Sequence, residues 1–232
     1  MATSRRPEGA GKRKTQRVSI VAILDWLAFK SSDKRTVCRM LIVYDAKKGG
    51  KDADKVAAAL QLICDVDPIR HRQVVRDVSR IWITTVVAAA GRLMPSTSVC
   101  ELDERFLMRE DISIEEVAGA IVHEATHARL FRWGIGYEEK LRDRVENICM
   151  ARELAFAAKL ADGAAIRHWV EARQNGSVDY SNAAFNVRDI AGARDALVHL
   201  GMPGWIADIV VAIARWRRGR AKQPEPATDP KN

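Results

Sequence analysis

Apolar residues recur at helical spacing along most of this chain, and only two stretches read as strand. Val56, Leu60 and Ile63 fall on one side of a predicted helix over Asp52–Val66. Asp67-Pro68 is a strong helix start, a capping acid followed by proline at the first helical position. From there the pattern predicts a helix to about Arg92, ending before Met94-Pro95. Its middle, IWITTVVAAA, is apolar nearly all round and reads as a central core helix. Thr36–Asp45 (TVCRMLIVYD) and Ser98–Met108 (SVCELDERFLM) have strand content, with a turn over Lys47–Lys51.

The clearest helix begins at Ser113-Ile-Glu-Glu116, a capping box, and runs to about Trp133. The stretch WGIGY (133–137), with two glycines, breaks it. A second helix is expected over Glu138–Leu160, returning antiparallel to the first. Further helices are predicted at Ala164–Arg173, Asn186–Leu200 and Pro203–Arg218. Val18–Phe29 is a short apolar element, read as helix. The fold class is therefore mainly α with a small β element, α+β.

With 232 residues, 47% hydrophobic and 29% charged, the chain has the composition of one globular body with tails. The net charge of +8 is uneven. Residues 1–17 carry six Lys/Arg against one Glu, and residues 215–232 carry six against two acids, so the body between them is near neutrality. The expected organisation is a disordered basic tail (1–17), one domain (18–218) and a Pro-rich charged tail (219–232). No uncharged apolar run reaches the ~18 residues of a spanning helix. Arg5-Arg6 is followed by Pro7-Glu8 rather than an apolar stretch, so a cytoplasmic protein is expected rather than an exported one. The four cysteines (Cys38, Cys64, Cys100, Cys149) form no CxxC pair and are expected to be buried free thiols.

Chemistry concentrates in GAIVHEATHARL. His123-Glu124-Ala125-Thr126-His127 is an HExxH motif on the capped helix. Residues at i and i+4 share a helix face one turn apart, so two imidazoles can converge on one ion, with Glu124 beside them. Neutral imidazoles suit zinc, which needs three protein ligands and one open position. No third His follows nearby, so an acid from the returning helix is the natural source. His127 lies about 8 residues before the centre of the turn, roughly 12 Å along the axis, and a partner should lie a similar distance beyond it. Glu146 fits. Glu153 is second choice as ligand, or a partner behind one; Asp143 is third.

HEATH with its flanks resembles the zincin metallopeptidases, and HExxH-x18-E resembles their gluzincin branch. The match departs at Arg129, where such helices usually carry an apolar residue, and Trp133 stands where a metzincin would have its third His. The resemblance implies a zincin-like domain and a zinc-dependent peptidase, with zinc on His123, His127 and Glu146. It implies Glu124 as the base that takes a proton from the attacking water and passes it to the leaving amine. It also implies an oxyanion donor, for which Tyr137, Tyr180, His168 and His199 all stand open. By the same resemblance, Ser98–Met108 is a strand that could pair with substrate backbone. The expected partner is a peptide or protein substrate.

A different class of reading is a non-catalytic, zincin-shaped binding module. Val18–Phe29 and Trp205–Trp216 each put an apolar helix beside a basic tail, a composition used at anionic membrane surfaces. Nucleic acid is not expected, because the chain lacks a recognition fold or an aromatic-interleaved basic stripe.

Overall fold

A five-stranded mixed sheet backed by helices carries the site. The computed structural model describes residues 27, 29–48, 50–176 and 178–220. The chain divides into two units, Met1–Ser32 and Asp33–Asn232, and the second holds the sheet and the helices named here. The tail 1–17, all of the expected helix Val18–Phe29 but Leu27 and Phe29, and all of the tail 219–232 but its first two residues lie outside the described residues.

The first strand-like stretch is a hairpin rather than one strand. β1 (Asp33–Val37) and β2 (Met40–Tyr44) pair antiparallel, closed by Val37 opposite Met40. The two turn residues, Cys38 and Arg39, both have positive φ (48° and 67°), the handedness that matches the twist of the flanking strands. Helices α1 (Lys51–Val66) and α2 (Pro68–Asp77) follow. Asp67 caps α2 by accepting from the Arg70 N–H, as the Asp-Pro start predicts.

The predicted core helix to Arg92 is a misreading. α2 ends at Asp77, and Arg80–Thr84 is a strand, β3, whose side chains alternate between buried and half-buried. RIWIT is rich in branched and aromatic residues that suit a pleated sheet, and β3 is held parallel between β2 and β5. β4 (Gly91–Met94) and β5 (Val99–Asp103) are antiparallel, giving the order β1-β2-β3-β5-β4. Ser98–Met108 is likewise only half strand. Asp103 accepts from the Arg105 N–H and starts a short helix, α3 (Glu104–Met108). β5 lies inside the sheet, and the edge beyond it is β4, with β1 at the opposite edge.

α4 (Ile114–Arg132) carries HEATH, with both halves of the Ser113/Glu116 capping box formed. Its buried face includes Val117, Ile121 and Val122, which join Leu60, Ile81 and Leu102 in the main core. The helix stops where Gly134 adopts φ 78°. The Gly134 N–H donates to the Phe131 carbonyl (2.9 Å) and the Ile135 N–H to the Leu130 carbonyl (3.0 Å). This is the glycine-dependent stop that satisfies the last carbonyls. Arg129, the departure from the family pattern, lays its guanidinium 4.5 Å from the Trp133 ring centroid. α5 (Glu139–Ala157) then packs back along α4. α6 (Ala164–Asn175), α7 (Asn182–His199) and α8 (Gly204–Arg220) complete the described chain.

One ion-pair cluster ties α2 to α4. The Asp77 side chain is fully buried and accepts from Arg76 (2.8 and 2.7 Å) and from Arg132 (2.8 Å). Burial alone would raise its carboxyl, but the two guanidiniums hold it below the ordinary 3.8. That contribution is complete above pH 3.8 and is lost as pH falls through the lower folded value. Asp77→Asn should therefore cost about 1–3 kcal/mol at neutral pH. In urea titrations its deficit against wild type should shrink in acid; a deficit equal at neutral and acid pH would refute the assignment.

Candidate metal centre

Local geometry brings the two imidazoles together. His123 and His127 are one turn apart on α4, and their Nε2 atoms lie 3.1 Å from each other. The reversal at Gly134 sets α5 against this face, and Glu146 arrives from it with 7% of its surface exposed. Its Oε2 lies 3.4 Å from His123 Nε2, and its Oε1 lies 3.4 Å from His127 Nε2. The pattern HExxH-x18-E thus closes in space as helical rise predicts. Asp143, the third choice, is exposed.

Glu153 sits behind His123 rather than among the converging atoms. It contacts His123 Nδ1, the ring nitrogen remote from Glu146. A carboxylate can only accept, so Nδ1 carries the proton and Nε2 is left to face His127 and Glu146. Arg173, from α6, donates to both Glu153 oxygens (2.7 and 2.5 Å) and holds that side chain in place. Nothing in the sequence marks Arg173: it is 20 residues from Glu153 on a different helix.

The pocket gathers acidic side chains around the two imidazoles. Burial alone would push His123 toward its neutral form, but Glu146, Glu153 and Glu124 raise its proton affinity to about 10. Burial likewise opposes ionisation of Glu146, yet the two imidazoles hold its carboxyl far below the usual range. Two imidazoles with the buried side chains of Glu146, Glu153 and Glu124 around them form a site suited to positive charge. Ligand atoms arranged tetrahedrally at about 2.0–2.1 Å from zinc lie roughly 3.3 Å from one another. The two Nε2 atoms lie 3.1 Å apart, and each stands 3.4 Å from a different oxygen of Glu146. Cys149 also lies within 4.8 Å of the imidazoles. Burial and the charges of Glu146, Glu124 and Glu153 push its thiol far up in the absence of metal.

Of the four oxyanion candidates, two line the cleft. Tyr137 hydrogen-bonds Glu146 through its hydroxyl, and its ring stands edge-on to His127 at 5.3 Å. Burial and the Glu146 charge raise its phenol, so it remains an O–H donor. Tyr180 lines the same cleft. His168 and His199 do not: His168 is exposed on α6, and His199 pairs with Glu104 at 2.8 Å. Arg142, in the first turn of α5, stands beside both tyrosines. It binds the Tyr137 carbonyl (3.2 Å), the Tyr180 carbonyl (3.0 Å) and Asn182 (2.8 Å), clamping both tyrosine loops.

The cleft has a volume of ≈ 580 Å³, within the usual range for ligand sites. The β4 edge strand forms one wall. Gly91 brings that strand against Glu124: a Cβ there would lie 3.3 Å from Glu124 Cγ and 3.1 Å from Leu102. No family model, curated protein or solved structure matches this chain.

Proposed function

We propose that the chain is a zinc-dependent hydrolase of the zincin kind, acting on peptide or protein bonds. The observation that carries this reading is the convergence of His123 Nε2 and His127 Nε2, 3.1 Å apart, on Glu146, one of whose oxygens stands 3.4 Å from each. Zinc held by these three residues would supply Lewis acidity toward a carbonyl oxygen and make a water acidic enough to attack at neutral pH. Glu124, buried between the two histidines in sequence, takes the proton of the attacking water and delivers it to the leaving nitrogen. The Tyr137 hydroxyl, kept protonated, turns its one O–H from Glu146 to the oxygen that gains negative charge. Glu153 and Arg173 hold the His123 ring in register. The class of substrate is supported by the wall of the cleft. β4 is a terminal strand of the sheet, and an extended peptide can add to such an edge by main-chain hydrogen bonds. β4 thus takes the role first expected of Ser98–Met108.

The purified protein should contain zinc at this site by metal analysis, and His127→Ala should remove that equivalent. A His127→Ala protein with unchanged zinc content would end this reading of the site.

A second reading, peripheral attachment to an anionic membrane, is favoured by α8. No described helix is long and apolar enough to cross a membrane. Yet α8 exposes Trp205 (68%), Ile209 (50%), Ile213 (50%) and Trp216 (56%), with Arg215 and Arg217 beside them. An apolar face flanked by arginines suits the interface of acidic lipids. Ile209→Glu/Ile213→Glu should abolish flotation of the protein with phosphatidylserine vesicles; equal flotation of variant and wild type would dismiss this reading.

A further inference from the structure

A second constellation of metal-ligating side chains lies outside the cleft. Cys38 stands in the two-residue turn between β1 and β2, Cys64 in the last turn of α1, and His71 in the first half of α2. Three separate elements thus bring one potential ligand atom each to within 4.8 Å of one another. None of the three lines the cleft of His123 and Glu124. Both cysteines are free thiols.

His71 adds an independent indication. It is 8% exposed, and its Nε2 atom is buried with no hydrogen-bond partner. A buried ring nitrogen left without a partner is costly, so proteins rarely leave one unless something else occupies it. His71 is held there by a well-made helix start, since Asp67 caps α2 and the His71 N–H donates to the Asp67 carbonyl at 2.9 Å. The imidazole is therefore placed by its backbone and not by a polar contact of its own.

We propose that Cys38, Cys64 and His71 form a second metal site, selective for a thiophilic cation of which Zn²⁺ is the physiological candidate. Two thiolates and one imidazole are a donor set that suits zinc and disfavours magnesium or calcium. Gln61, whose Oε1 accepts from Cys38 Sγ at 3.1 Å, stands beside the cluster, and its own amide donates to Asp65 at 2.8 Å. A water can complete four-coordination. Binding releases both thiol protons to solvent and forms two sulfur–metal bonds, with no change of oxidation state. Burial and the neighbouring Cys64 and Asp65 raise the Cys38 thiol in the absence of metal. A cation here would staple the tip of the β1–β2 hairpin to the corner between α1 and α2. The role is structural and independent of the hydrolytic reading.

Cobalt is the probe, because thiolate ligation gives a charge-transfer absorption in the near ultraviolet that histidine and carboxylate ligation do not. The full chain, kept under a phosphine reductant, is titrated with Co²⁺. The expected result is a thiolate-to-cobalt band that saturates at one equivalent in His127→Ala and by two equivalents in wild type and in Cys149→Ser. The band should be lost in Cys38→Ser and in Cys64→Ser, and weakened in His71→Ala. Should a cysteine variant fail to fold, the wild-type protein gives the same test: selective alkylation of Cys38 and Cys64 should remove the band, and Zn²⁺ should protect both thiols. Three results would overturn the proposal: no band in wild type, a band that vanishes only in Cys149→Ser, or a Cys38–Cys64 disulfide in protein isolated without reductant.

Discussion

Glu124→Gln should abolish hydrolysis while leaving zinc on His123, His127 and Glu146. Gln is nearly isosteric with Glu, so it fits against Gly91, where a methyl group in place of the glycine hydrogen would already stand 3.3 Å from Glu124 Cγ. What the amide cannot do is accept a proton from water. General-base catalysis of this kind contributes about 100- to 10,000-fold, and the loss of turnover should fall in that range or beyond it. The comparison is made on a peptide library read by mass spectrometry, with metal analysis of the same preparations. Survival of cleavage in a zinc-loaded Glu124→Gln protein would exclude the proposed base. Loss of both zinc and cleavage would instead show that Glu124 belongs to the ligand set.

Glu146→Ala and Glu153→Ala should both weaken zinc binding, but unequally. Glu146 contributes oxygens that face both Nε2 atoms, so its removal deletes a ligand and should lower zinc affinity by more than about 100-fold. Glu153 touches only the remote nitrogen of His123, and removing such a supporting carboxylate typically costs about 10- to 100-fold. Arg173→Ala should resemble Glu153→Ala more weakly, since Glu153 would remain in contact with His123. Competition with a chromogenic chelator measures all three. If Glu153→Ala proved the more damaging of the two, the assignment of ligand and supporter would have to be exchanged.

Several parts of this protein are legible without coordinates, and they share a feature. The capping box, the glycine stop at Gly134 and the helical start at Asp67-Pro68 are each written within four or five residues. The pairing of His123 with His127 follows from 3.6 residues per turn. The approach of Glu146 follows from the rise per residue and the length of one tight turn. Where local signals conflict, the sequence misleads. Asp67-Pro68 starts a helix, and no proline or glycine interrupts the chain before Gly91, so the run through IWITT reads as a continuation. An apolar run of that length fits a buried helix and a buried strand equally well. The choice was made by β2 and β5, which flank β3 and satisfy its backbone in a sheet.

The amino-acid order by itself thus determined the mainly helical class, the HEATH helix and its caps, and the arrival of Glu146 opposite the two histidines. These depend on backbone torsions and on contacts across a single turn, which a short stretch of residues specifies. Only the tertiary structure decided which strand lies at the edge of the sheet and that Arg173 holds Glu153. It alone brought Tyr137 rather than His168 or His199 to the cleft, and Cys38, Cys64 and His71 to one another. Those placements arise from packing between elements distant along the chain, where closing a long loop leaves no periodic trace in the residues being joined.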